Sequence, residues 1–362
     1  MIIPVLNYTG IGKVWWHEDE LSHTVPTGFK HFGQYSKFDD CDITPADYAA
    51  AVTWTGNGTS QSIECGFSPD LIITARYNAT ATAGTWWHAP LLGTEQILTT
   101  VDDRAVASES GGVTSFDTTG FTIGSSSVVN ANGLGFNGYA LKASAASGIA
   151  VFEYTGDGTT PRAIAHGLGK TPSLIFVKQT DAVRDWKVWH EHFARGQHME
   201  LDSASAVLGT NITIWSDTDV TPHDATNFYV GTSLETNQSG GNYLAMVFAE
   251  IEGFSRIDTY EGNGDSVDGF FVECGFRPEF VLIKCMDSAY NWQLFSSERH
   301  PYNPISTADV VNGSAATGTG HTVYFTSSGF FLRDGQNTVN RAGNTYIFAA
   351  FAAHPMKIAR AF

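Results

Sequence analysis

At 362 residues the chain is too long for one ordinary core and suits two or three domains. Its formal charge is 20 − 37 = −17, which leaves no basic patch to displace counterions from phosphate and so excludes nucleic acid as a partner and disfavours anionic membrane surfaces. Only 16% of residues are charged, while 37 are Gly and 13% are aromatic, the composition of an all-β protein with many tight turns rather than of a disordered chain.

Residues 1–51 read as an N-terminal attachment segment. Met1-Ile2-Ile3-Pro4 has neither the basic start nor the apolar stretch of a secretory signal. No apolar run approaches the roughly 20 residues that span a bilayer, so no membrane insertion is expected. Trp15, Trp16, His17, His23 and His31 make the segment too aromatic for a simple tail, and Trp15 and Trp16 are candidates for anchoring a protein partner. Thr44-Pro45-Ala46-Asp47-Tyr48-Ala49-Ala50 predicts one or two helical turns, with Thr44 as N-cap and Pro45 at the first helical position.

Beyond this segment the chain repeats itself. An aromatic residue and a Gly-x-Gly turn recur as Trp54-Thr55-Gly56-Asn57-Gly58, Tyr154-Thr155-Gly156-Asp157-Gly158 and Tyr260-Glu261-Gly262-Asn263-Gly264. From Gly56 to Gly156 is 100 residues, and from Gly156 to Gly262 is 106. A Pro then leads into an apolar strand at Pro69, Pro172 and Pro278, and a Trp-bearing strand follows in Trp86-Trp87-His88, in Trp186 to His190 and from Trp292. A strand, turn and strand come next, including Ile214-Trp215 in the second copy. Each copy closes on an Asn, a Gly-rich turn and a long apolar strand, over 130–141, 237–248 and 340–351. A period of about a hundred residues suits independent domains rather than a solenoid. Alternating stretches such as Val151-Phe152-Glu153-Tyr154, continuous apolar runs such as Ser173 to Lys178, and turns every 8 to 12 residues predict seven or eight strands per copy. The expected fold is all-β: three tandem antiparallel β-sandwich, jelly-roll-like modules over 52–146, 147–255 and 256–362.

Several of these stretches resemble the repeated β-domain of tail-fibre and other virion structural proteins of marine tailed phages. They are Tyr154 to Thr159, Gly167-Leu168-Gly169 before Pro172, Ala249 to Ser255, Tyr260 to Gly264, Gly275-Phe276-Arg277-Pro278, Ser296 to Arg299 with Tyr302-Asn303, and Ala350 to Pro355. The resemblance is dense over 148–357 and looser over 52–146. It implies a concanavalin-like or jelly-roll-like fold and a virion surface protein, made in the host cytoplasm, that recognises or adheres to the host as a tail fibre or tail tip does. Other capsid or tail proteins and a host cell-surface glycan are the expected partners, and a homo-oligomer, trimer or hexamer, is the expected assembly. The chain lacks a long N-terminal shaft or coiled coil, which favours a compact tip, adaptor or decoration protein. A capsid or tail decoration protein without receptor binding is therefore the alternative.

Catalytic chemistry is not apparent. There is no Gly-x-Ser-x-Gly, Walker loop or His-Glu-x-x-His, so the chain is expected not to be an enzyme, to need no cofactor and to hold no metal. A carbohydrate-active enzyme on a sandwich fold is the second alternative, because such folds host both lectins and glycanases. On one strand His190 and His192 would share a face, near His198, but a solvated strand end explains them better than an ion. Asp39-Asp40-Cys41-Asp42 and Asp102-Asp103 lack calcium-loop spacing and read as turn charges. Cys41, Cys65, Cys274 and Cys285 are too sparse for a disulfide framework and read as free thiols. Sugars stack on aromatic faces, and Trp54, Trp86, Trp87, Trp189, Trp215 and Trp292 offer them. Recurrence at matching positions favours core packing for most. Trp215 lacks a clear counterpart and leads the ligand-binding candidates, with Trp189 and Trp87.

Overall fold

A Pro at the start of a helical turn costs no hydrogen bond, because the first N–H groups of a helix have no partner in any case. Pro45 uses this to open a short 3₁₀ turn, Pro45–Asp47, but the backbone is already extended by Ala49. The helix expected through Ala50 is therefore one turn followed by a strand, whose alternating Ala49 and Ala51 are buried. That strand also begins before the expected boundary at residue 52. The computed structural model describes residues 44–77, 84–216, 222–313 and 318–352, within one compact unit, Ile43–Phe362. Trp15, Trp16 and Cys41 lie outside the described residues.

The chain is nearly all antiparallel β. A first set of elements comprises β1 (Ala49–Thr55), β2 (Gln61–Glu64), β3 (Leu71–Tyr77), β4 (Thr85–His88), β5 (Gln96–Thr99), β6 (Ala107–Ser108), β7 (Val113–Phe116), β8 (Gly120–Ile123), α1 (Ser127–Asn130) and β9 (Gly135–Leu141). A second comprises β10 (Ile149–Thr155), β11 (Arg162–Ala165), β12 (Leu174–Gln179), β13 (Lys187–His190), β14 (Met199–Glu200), β15 (Asn227–Val230), α2 (Leu234–Asn237) and β16 (Asn242–Phe248). A third comprises β17 (Ser255–Glu261), β18 (Phe270–Glu273), β19 (Pro278–Cys285), β20 (Gln293–Ser296), β21 (Ile305–Val310), β22 (Gly318–Thr326), β23 (Gly329–Leu332), α3 (Asn337–Asn340) and β24 (Thr345–Ala352). In each set the last strand lies between the first and third, as β1-β9-β3, β10-β16-β12 and β17-β24-β19. The second strand pairs with the strand before the helix, as β2–β8, β11–β15 and β18–β23.

The repeated Gly-x-Gly turn has a steric cause. A Cβ on Gly56, Gly156 or Gly262 would stand 2.2, 2.0 or 2.5 Å from the carbonyl oxygen of Ala131, Gln238 or Arg341. The second glycine has φ near +70° in each copy, a region that side chains other than glycine's rarely adopt. The closing Asn ties this turn to the helix. Asn237 Oδ1 accepts from Asp157 N at 2.9 Å, and its Nδ2 donates to Thr159 O and Gly231 O, both at 2.8 Å. Asn130 and Asn340 repeat the pattern on Asn57 and Asn263. A buried amide so placed satisfies backbone groups that have no ladder partner.

The third strand of each set is buried on both faces, which explains its unbroken apolar sequence. Ile72, Ile175, Val177, Val281 and Ile283 face the core of their own set. The alternate residues Ile73, Leu174, Phe176, Phe280 and Leu282 meet around one apolar cavity of about 40 Å³ lined by all three sets. Trp87 packs on Phe176 with ring centroids 5.8 Å apart, Tyr139 on Phe280 at 5.4 Å and Phe248 on Phe351 at 5.9 Å.

Polar groups at this shared centre are paired across sets. Lys178 Nζ donates to Asp103 O at 2.9 Å and also to Arg184 O, and Lys284 Nζ donates to Ala204 O at 2.9 Å and Tyr290 O at 2.7 Å. Burial pushes each ammonium down to about 8. Asp309, 1% exposed, accepts from Asn137 Nδ2 and Tyr139 OH, both at 2.6 Å, and from Arg299 at 3.1 Å.

Candidate functional site

The third set differs from the others in the way its sheet ends. Its eight strands form one sheet in the order β17-β24-β19-β20-β21-β22-β23-β18, so the two edges are consecutive strands and the sheet is nearly closed. A groove of about 320 Å³ opens at this seam, lined by Arg256 and Asp258 to Glu261 of β17, Phe270 to Glu273 of β18, and Phe348 of β24.

The internal repeat explains the opening. Pairing with the last strand places Val52, Phe152 and Asp258 at one position, opposite Gly138, Ala245 and Phe348. Their faces follow from the aromatic anchor two residues on (Trp54, Tyr154 or Tyr260), which packs into the core of its set. Val52 and Phe152 are partly buried against those cores. In the third set the same position holds a carboxylate, and the position before it on this face is Arg256 where the other sets have Ala50 and Ala150. The apolar filling is thus replaced by an ion pair at the mouth of the seam.

That pair is held from several sides. Arg256 bonds to the Asp258 carboxylate and lies 3.2 Å from Glu250 Oε1. Asp258 Oδ1 also accepts from His192 Nε2 at 2.9 Å and Thr259 N at 2.8 Å. Burial raises the Asp258 carboxyl, but the Thr259 N–H and the Arg256 guanidinium outweigh it and hold the group below its ordinary value. Glu250 Oε1 accepts from Ile257 N at 2.9 Å, and burial raises its carboxyl. The N–H groups of Ile257 and Thr259 are therefore capped by carboxylates along the free edge of β17, a device that blunts an edge against further strand pairing.

The rim is aromatic and acidic. Phe271 is 41% exposed. By pairing with the strand before the helix it stands where the other sets have Ser62 and Ala163. Tyr260 stacks on Tyr346 with centroids 5.0 Å apart and donates to Val339 O at 2.8 Å, and Phe270 leans on its ring at 5.4 Å. Glu273 accepts from Gly275 N at 3.1 Å. Glu261 is exposed, and its carboxylate makes no hydrogen bond or ion pair with a described residue. Aromatic faces beside carboxylates suit a hydroxyl-bearing ring: the faces stack and the carboxylates accept.

The ligand-binding candidates from the sequence lie elsewhere, and all three are buried. Trp215 is 0% exposed, against His223 and Phe228. Trp189 meets the His223 ring edge-on at 4.4 Å, and Trp87 donates from Nε1 to Thr85 Oγ1 at 3.0 Å while packing on Trp186. None presents a face to solvent, so their stacking partners are core residues rather than sugars. His190 is buried in β13, whereas His192 lies beyond the strand end and pairs with Asp258. Among the described residues no three His, Cys, Asp or Glu side chains are grouped to hold a metal ion. Asp102 pairs with Arg104. Cys65, Cys274 and Cys285 are buried free thiols. No helix among the described residues is long and apolar enough to cross a membrane.

Asp258 was within reach of the sequence, two residues before the landmark Tyr260, as a charge where Val52 and Phe152 stand in the other copies. Phe271 was not, because the turn leading to it differs in length in the three copies and only strand pairing aligns it. A family described as a domain of unknown function (DUF7483) matches residues 44–355. No curated protein matches the chain.

Proposed function

The chain belongs to the DUF7483 family. We propose that it is a phage virion surface protein that engages a host-surface glycan. Three tandem antiparallel β-sandwich modules, 52–146, 147–255 and 256–362, are its building blocks, and residues 1–51 attach it to a capsid or tail partner. The repeated elements and the resemblance of Tyr154 to Thr159 and Gly275 to Pro278 to phage tail-fibre domains support this reading. The observation that carries it is the seam groove of the third set, where an apolar filling common to the other two is replaced by Arg256 and Asp258 beneath an exposed Phe271. A role in binding rather than catalysis fits a site whose inner carboxylate is already committed to Arg256, His192 and Thr259.

Two measurements test this. Mass spectrometry of purified phage particles should find the protein in many copies, and its absence would end the virion assignment. Added in excess, the purified chain should block adsorption of the phage to its host. A chain present in the particle that leaves adsorption unchanged would identify a decoration or adaptor protein instead.

A further inference from the structure

We propose that the groove of the third set selects a sugar bearing a free, positively charged amine over neutral and acidic sugars. This rests on the glycan-binding reading and narrows it. Three carboxylates, Asp258, Glu261 and Glu273, line the groove against one guanidinium, Arg256. Arg256 is already bound by Glu250 and Asp258, so it is not free to clamp an acidic sugar. Glu261 is the opposite case: it is exposed, and its carboxylate has no partner among the described residues. A charged amine placed beside Glu261 satisfies that carboxylate while the sugar ring stacks on Phe271. An acidic sugar in the same place meets like charge, within a chain of net charge −17.

An extended peptide is the other occupant that a sheet seam invites. It is disfavoured here because the Ile257 and Thr259 N–H groups already donate to Glu250 and Asp258. An added strand would have to displace both carboxylates before its carbonyls found a donor.

The experiment is calorimetric titration of the full chain with three defined tetrasaccharides: a fully deacetylated glucosamine tetramer, its N-acetylated form and a galacturonic acid tetramer. Because Glu261 is exposed, its ion pair with the amine is worth only about a fivefold preference at low salt, and added salt should erode it. The expected order is deacetylated, then acetylated, with the acidic tetramer weakest. Glu261→Gln should bring the deacetylated and acetylated tetramers to equal affinity, and Phe271→Ala should abolish binding of both. Equal affinity for the first two sugars, or tightest binding of the acidic one, overturns the amine preference and leaves glycan binding standing. Binding of none of the three overturns this inference together with the reading beneath it.

Discussion

Trp186 Nε1 donates to the carbonyl of Thr99 at 2.8 Å, 87 residues earlier in the chain. Trp292 repeats the contact on Glu200 O at 2.9 Å. Each indole reaches from its own set into the one before it. The third boundary is closed differently: Thr100 Oγ1 donates to Val311 O at 2.5 Å, joining the first set to the last. The three sets are thus linked in a cycle around the shared apolar cavity rather than strung in a line.

Trp186→Phe keeps an aromatic ring but removes the pyrrole half of the indole and leaves the Thr99 carbonyl without its donor. A buried group stripped of its partner costs about 1–3 kcal/mol. Urea denaturation of the variant should show that loss in a single cooperative transition. A separate early transition for one set would contradict the cyclic packing.

Leu282→Ala removes side-chain volume at the shared centre, where Leu282 lines the cavity with residues of all three sets. Substitutions of this kind cost about 2–5 kcal/mol, most where the surroundings cannot relax. Asn237→Ala should cost a similar amount, since Gly231 O, Thr159 O and Asp157 N lose one common partner. Thermal melts of the two variants should both fall well below that of an exposed control such as Val267→Ala.

Glu279 gives the pH dependence a sign. Burial pushes its carboxyl up to about 7, and the hydrogen bond from Ser297 at 2.9 Å offsets this only in part. A carboxyl whose folded value is raised contributes stability that is present below its unfolded value and is lost as pH rises through about 7. Glu279→Gln should therefore gain on the native chain by roughly 2 kcal/mol between about pH 5 and about pH 8. An equal difference at both pH values would show that the carboxyl titrates normally.

Much of the fold was legible because its causes are local. Gly156 is required by a carbonyl only 2.0 Å from where a Cβ would sit, and Asn237 by the orphan backbone groups around it, so both recur at matching points in the sequence. The Ser173–Lys178 run read correctly as a strand, and the structure buries it on both faces. What covers its second face did not show in the sequence, because Phe176 meets Trp87 and Trp292 from other sets. The candidate site was legible only as a departure from the repeat. Trp215 drew attention for lacking a counterpart, yet it fills the core beside His223. Asp258 and Phe271 also depart from the repeat, but these changes fall at an open seam, where a missing apolar side chain leaves a groove instead of a void.

Glycan-array binding of the native chain beside Phe271→Ala shows whether the seam of the third set holds a glycan. The native chain should retain a restricted set of glycans. The variant should fold with an unchanged melting temperature and lose them all. Retention of the same glycans by the variant, or of none by the native chain, would contradict a glycan site at this seam.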